Sequence, residues 1–184
     1  MQGVLRSLAS LISPQRLTED RRVLEQIILP AYARRSDMQR VLFVGCAAYT
    51  KQYGQLFADR EYWTIDPVEH RRRYGSSRHI VDRLENLGDH VSPDYFDVVI
   101  CNGVLGWGLN ALNDVDAAFG ACHRHLRNAG ELVLGWNDVA PHNRVAPSDV
   151  PSLKNFAPLM FEPLNTSKLE LDVPHRHIFE FYLK

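Results

Sequence analysis

Several polar groups in this chain stand directly after apolar runs: Gly45-Cys46-Ala47-Ala48, Asp66, Asp82-Arg83, Asn102-Gly103 and Trp136-Asn137-Asp138. If the runs are parallel strands, these groups share the sheet edge where open α/β folds bind their ligands. Asp66 is the most informative of them. It follows the first of these turns by about 20 residues, the spacing at which an acid accepts hydrogen bonds from both ribose hydroxyls of an adenosine-containing cofactor. A carboxylate suits that role because it only accepts, with two oxygens for two hydroxyls. Asp66-Pro67 is equally a turn signal, and the residues alone leave both roles open. Asp82 is placed to orient an adenine amino group, with the backbone of Arg83 and Leu84 framing the base edge, or else simply to form a turn. Asn102 and Gly103 would flank the reactive end of the cofactor, with glycine permitting close backbone approach.

Beyond the last of these strands lies WNDVAPHNR, which contains His142, the candidate general base if a bound acceptor must lose a proton. A solvated loop histidine is the plainer reading. Trp107, in the glycine-rich GVLGWGLN, and Asp138 are the candidate acceptor-pocket residues, whereas Trp136 reads as core. His123-x-His125 and His175-x-His177 have no further ligand at a recognisable metal-site spacing, so no metal is assigned. Cys46, Cys101 and Cys122 are odd in number and scattered, as expected of reduced, packed thiols.

The elements that must carry these groups are legible from periodicity. VLFVG (Val41–Gly45), YWTID (Tyr62–Asp66), RHIVD (Arg78–Asp82), FDVVICN (Phe96–Asn102) and GELVLGWN (Gly130–Asn137) read as strands. Helical stretches fit between them at Thr50–Ala58, Glu69–Tyr74 and Asp114–Leu126, the last with Val115, Ala118, Phe119 and Cys122 as its apolar stripe. Such alternation implies a parallel sheet with helices on both faces. LELDV (Leu169–Val173) and HIFEFYLK (His177–Lys184) are separated only by Pro174, His175 and Arg176, too few residues for a crossover, so they must be antiparallel neighbours. Residues 1–37 read as a helical extension to a domain over 38–184. One helix carries Val4, Leu5, Leu8, Leu11 and Ile12 on one face and closes at Pro14; a second starts at Thr18 and should kink or end at Pro30. These helices either cover the sheet or form a lid over a substrate.

The chain has 184 residues, 45% hydrophobic and 23% charged, enough for one domain with a proper core. A net charge of −1 lacks the electrostatic footprint expected of a nucleic-acid partner, and Arg34-Arg35 and Arg71-Arg72-Arg73 read as solvated helix ends. No apolar stretch has the length of a membrane span, and the N-terminal segment is a poor signal peptide, so a cytoplasmic protein is expected.

In order and spacing these residues resemble the class I S-adenosylmethionine-dependent methyltransferases. VLFVGCAAYT stands where that family's first motif stands, TIDP where its second-strand acid stands, and YFDVVICNGVL where its fourth-strand motif stands. HLRNAGELVLGW is similar to the family's passage into the fifth strand, and FEFYLK fits its antiparallel last strand. The resemblance covers roughly Arg40 to Lys184. It implies a three-layer Rossmann-like α/β sheet, mostly parallel with an antiparallel C-terminal hairpin. It implies S-adenosylmethionine as cofactor, held by Gly45, Cys46, Ala47, Asp66, Asp82, Arg83, Asn102 and Gly103. The first motif departs from the family's acid-x-G-x-G-x-G: Phe43 replaces the acid, Ala47 and Tyr49 replace two glycines, and Gly45 alone remains. Ala47 is tolerable if its φ stays negative, and the Tyr49 ring must point away or join the pocket. Without G-x-G-x-x-G, a nicotinamide oxidoreductase trails. Asn102 is followed by Gly-Val-Leu, not by the Pro-Pro-aromatic run of the enzymes that methylate amino groups of nucleic-acid bases. A small-molecule or sugar acceptor is therefore the expectation. The alternative is a non-catalytic module that keeps the fold and has lost the cofactor.

Overall fold

The computed structural model describes residues 18–184. The helix expected over Val4–Pro14 lies outside the described residues. The strands are β1 (Arg40–Val44), β2 (Glu61–Ile65), β3 (Arg78–Ile80), β4 (Phe96–Asn102), β5 (Leu126–Asn137), β6 (Ala157–Pro158), β7 (Lys168–Glu170) and β8 (His177–Leu183). They form one sheet in the order β3-β2-β1-β4-β5-β8-β6, with β7 also paired to β8. The pairs from β3 through β5 are parallel. β8 runs antiparallel to β5 on one edge and to β6 and β7 on the other. Strand order reverses between β1 and β4, and that switch point sets the crevice for a ligand.

The central strands are buried on both faces, as their unbroken apolar runs require: Val41, Leu42 and Val98 through Cys101 have no exposed surface. One face packs on α4 (Leu112–His125), whose Val115, Ala118, Phe119 and Cys122 are fully buried. Val115 and Phe119 each contribute about 1.5–3 kcal/mol by leaving water, the smaller Ala118 and Cys122 less. The other face is covered by a continuous helix made of α1 (Glu19–Val23), a π-helical segment (Leu24–Ile28) and α2 (Leu29–Arg34). Leu24, Ile28, Leu29 and Tyr32 of that helix pack in one cluster with Phe43, Val98 and Phe179, so the segment is part of the core and covers the sheet.

Pro30 does not end this helix, one of the two outcomes expected of it. The π segment just before it moves Leu29 N–H onto the Leu24 carbonyl, and this wider turn lets a residue without an N–H follow and the helix run on to Arg34. Other differences are local. The Thr50–Ala58 and Glu69–Tyr74 stretches are largely 3-10 turns, with only α3 (Tyr53–Leu56) α-helical. The seventh strand stops at Glu170, because Leu171–Arg176 turns back on itself through Val173 N–H to Leu171 and Arg176 N–H to Val173. The two-residue β6 had no signal in the sequence.

Away from the crevice, Glu131 is buried and takes Tyr32 Oη–H on one oxygen (2.8 Å) and Arg35 on the other (2.7 Å). The network ties α2 to β5. Burial, with the neighbouring carboxylate, pushes the Tyr32 hydroxyl well above its usual pKa. No helix among the described residues is long and apolar enough to cross a membrane.

Candidate active site

A cavity of about 1080 Å³ opens at the carboxyl ends of β1, β2 and β4. Gly45, Cys46, Ala47, Asp66, Asn102 and Gly103 are on its wall, and so are Asp82 and Arg83. The fold thus brings every residue assigned to the cofactor to one cavity.

Asp66 is only 2% exposed. Its Oδ2 accepts from Cys46 N–H at 2.8 Å and its Oδ1 from Val68 N–H at 2.9 Å, so the carboxylate joins the β1 turn to the β2 turn. Arg71 also reaches Oδ2, at 3.3 Å, from a half-exposed position. Two carboxylate oxygens offer about four acceptor sites, which leaves room for a ligand hydroxyl beside the backbone donors.

The first turn closes without its missing glycines. Gly45 takes φ +85, and a Cβ there would stand 2.8 Å from Val104 Cγ2 across the switch point. Ala47 is extended at φ −146, so its methyl is accommodated as anticipated. Thr50 Oγ1 accepts Ala47 N–H (3.1 Å) and donates to the Ala47 carbonyl (2.9 Å), closing the turn with a hydroxyl. The Tyr49 ring joins the pocket wall, 40% exposed, with the Arg21 guanidinium 4.5 Å above it. Arg21 is paired to Glu25 at 2.6 Å, and Tyr53 Oη–H donates to the same Glu25. The tyrosine that replaces a glycine therefore anchors α1 over the cavity. Phe43, in place of the motif acid, is buried edge-to-face against Tyr53. Burial, with the Asp66 charge adding to it, pushes the Cys46 thiol up to about 11.

Asp82 caps the turn that follows β3. It accepts from Arg83 N–H (2.7 Å) and Asn86 Nδ2–H (2.8 Å) and sits 2.8 Å from His90 Nε2. These contacts, His90 first, hold its carboxyl down at about 2. Arg83 is paired to Glu85 and, at 3.3 Å, to Asp114.

At the other end of the cavity, Trp107 is 61% exposed and stacks on His142 with centroids 3.9 Å apart. His142 Nδ1 lies 2.9 Å from the Gly106 carbonyl, which can only accept, so Nδ1 carries the proton and Nε2 is left with a lone pair in the neutral ring. Gly106 sits at φ +83, and a Cβ there would run into the His142 carbonyl.

Asp138 is not brought to this cavity. Side chains alternate along a strand, and Asn137 faces the cavity while Asp138 lies by a smaller one with Trp136 and Lys168. Asp138 there pairs with Arg176 at 2.9 Å and accepts from Asn143.

The fold adds residues that sequence reasoning missed. His177, at the start of β8, is buried between Asn137 (Nδ1 to Oδ1, 2.6 Å) and Asn102 (Nε2 to Oδ1, 3.1 Å). Burial pushes its imidazole down to about 4 against the pull of Asp20. With a neutral ring one nitrogen donates and the other accepts, so one of the two amides turns its NH2 to it. His175 and Asp20 complete this end of the wall. The antiparallel pairing of Asn137 with His177 was within reach of the hairpin reading. Asp20, on α1, carried no sequence signal.

Comparison with known proteins is consistent with this geometry. The family model described as "Methyltransferase domain" matches residues 42–134. A search of curated proteins finds no match. Among solved structures, the chain is similar to the N-methyltransferase NodS from Bradyrhizobium japonicum WM9 in complex with S-adenosyl-L-homocysteine, at 15% identity and TM-score 0.62, covering 91% of this chain and 93% of that one. It is similar to a TehB-like SAM-dependent methyltransferase from Corynebacterium glutamicum (15%, TM-score 0.61, 89% and 93% covered). A 1,6-didemethyltoxoflavin-N1-methyltransferase from Burkholderia thailandensis, with bound 1,6-didemethyltoxoflavin and S-adenosylhomocysteine, also resembles it (15%, TM-score 0.57, 85% and 75%). At these identities the likeness shows the fold.

Proposed function

The chain belongs to the methyltransferase-domain family, and on that premise we propose that it transfers a methyl group from S-adenosylmethionine to a small-molecule or sugar acceptor in the cavity above β1, β2 and β4. The observation that carries the reading is Asp66, buried directly after β2 on the cavity wall and tied to the Cys46 amide. The residues fit the cofactor. A Cβ on Gly103 would meet nothing within 4 Å, so its backbone borders open space, and Ala47 keeps its methyl clear at negative φ. Asp66 would hold the ribose, Asp82 and the Arg83–Leu84 backbone the base, and Asn102 and Gly103 the reactive end.

The bound cofactor supplies an electrophilic methyl on a sulfonium, and the protein's part is positioning and exclusion of water, which is worth up to about 7–11 kcal/mol of barrier. Trp107 walls the acceptor end, and His142, its tautomer set by the Gly106 carbonyl, offers Nε2 to take a proton where the acceptor must lose one. A small acceptor is also supported by the likeness to the toxoflavin enzyme, which holds 1,6-didemethyltoxoflavin.

A second reading, a non-catalytic module that has lost the cofactor, is favoured by Arg71 on Asp66 and by Tyr49 in the first turn. Calorimetry separates the two. S-adenosylhomocysteine should bind in the micromolar range and raise the melting temperature, since a ligand for the folded state alone must stabilise it. Undetectable binding at millimolar ligand would sink the enzyme reading and leave the module.

A further inference from the structure

We propose that Asp20, His175 and His177 form a binding site for a divalent transition-metal ion of the zinc class, open to the cavity at its acceptor end. One ligand-capable atom from each residue lies within 4.8 Å of the other two, and all three residues are on the cavity wall. The third ligand comes from α1, far from the two histidines in sequence, which is why the spacing of His175-x-His177 alone assigned no metal.

The surroundings of Asp20 suit a cation. Its side chain is 15% exposed, and Oδ1 is buried without a hydrogen-bond partner among the described residues. His175 Nε2 stands 3.2 Å from that oxygen but off the line a hydrogen bond needs. Among the described residues, Arg21 pairs with Glu25, Arg22 with Glu19 and Arg176 with Asp138, so none of these three serves Asp20. A nearly buried carboxylate oxygen without donor or full cation is costly, and a metal ion would meet that need.

The donor set selects the metal. Two imidazoles and one carboxylate suit zinc, cobalt or iron(II), whereas magnesium and calcium prefer oxygen alone. A third of the His175 side chain is exposed, in the loop between β7 and β8, so it has room to close the cluster toward the ligand separation of about 3.4 Å that metal–ligand bonds of about 2.0–2.1 Å impose. His177 would exchange one of its asparagine contacts for the metal, and the other would fix its ring as the outer partner of a ligating histidine. Three protein ligands leave open positions facing the cavity, as in catalytic rather than structural zinc sites. Those positions would take an acceptor oxygen, hydroxyl or carboxylate. This last clause rests on the methyltransferase reading; metal binding itself does not.

The test uses untagged protein freed of metal by chelation, then titrated with Zn2+ by calorimetry and with Co2+ by visible absorption. One equivalent should bind at micromolar affinity or tighter, with d–d bands of a low-coordinate cobalt site, and Mg2+ should not compete. His175→Ala and Asp20→Asn should each weaken Zn2+ at least tenfold while remaining folded by circular dichroism. No saturable binding, or equal binding by both folded variants, would overturn the site. Titration of the unaltered protein with S-adenosylhomocysteine in parallel separates the two ideas: metal binding without cofactor binding overturns the methyltransferase reading and not the site, and the reverse overturns the site alone.

Discussion

Replacing Asp66 by asparagine tests the cofactor site where its geometry is best defined. The carboxylate accepts Cys46 N–H and Val68 N–H on different oxygens, at 2.8 and 2.9 Å. An amide keeps one acceptor oxygen and turns an NH2 toward the other backbone donor, which then has no partner. Leaving one buried donor unsatisfied costs about 1–3 kcal/mol. A domain of this size loses roughly 2–4 °C of melting temperature per kcal/mol, so a fall of about 2–12 °C is expected with the fold intact. The Arg71 contact adds little to this, since its guanidinium is half exposed. For the ligand, the loss is one charge-assisted hydrogen bond from a ribose hydroxyl, about 1.5–3 kcal/mol, or roughly 10- to 150-fold in Kd. Calorimetry with S-adenosylhomocysteine at 25 °C reads the second quantity, and urea unfolding of the same samples reads the first. A folded D66N protein that binds within threefold of the unaltered chain would refute the reasoning and reduce Asp66 to a turn-former before Pro67.

Gly106→Ala should cost about 1–3 kcal/mol by urea unfolding, since φ is +83 and the new Cβ runs into the His142 carbonyl; unchanged stability would mean the Trp107–His142 stack does not depend on that close approach. Tyr32→Phe should destabilise by about 1–3 kcal/mol because Glu131 keeps only Arg35, with cofactor affinity unaffected so far from the cavity. For Asp82 the folded-state pKa of about 2 lies below the ordinary 3.8, so its contacts contribute stability above about pH 4 and lose it as pH falls toward 2. Asp82→Asn should therefore be less stable than the unaltered protein near pH 6, the gap closing on acidification; a gap independent of pH would contradict the His90–Asp82 pairing.

Local periodicity was enough to read the parallel strands β1, β2, β4 and β5, the apolar stripe of α4 and the antiparallel pairing of the tail, because a strand buried on both faces and an amphipathic helix each write their surroundings into a few consecutive residues. The strand-end rule then carried Gly45, Asp66, Asn102 and Gly103 to one cavity. What escaped depends on distances between elements. Asp138 and Asn137 differ only in which side of the sheet they face, and the register of β5 against β8 made Asn137 the cavity residue. Pro30 looked like a helix end until the π turn before it removed the need for its missing N–H. Tyr49 read as a ring that must point away or join the pocket, and packing put it in the wall, where it holds Arg21 and α1 over the site. Asp20 acquired meaning only when that helix brought it 3.2 Å from His175, a contact that no spacing along the chain can encode, since the two residues stand on elements far apart in sequence.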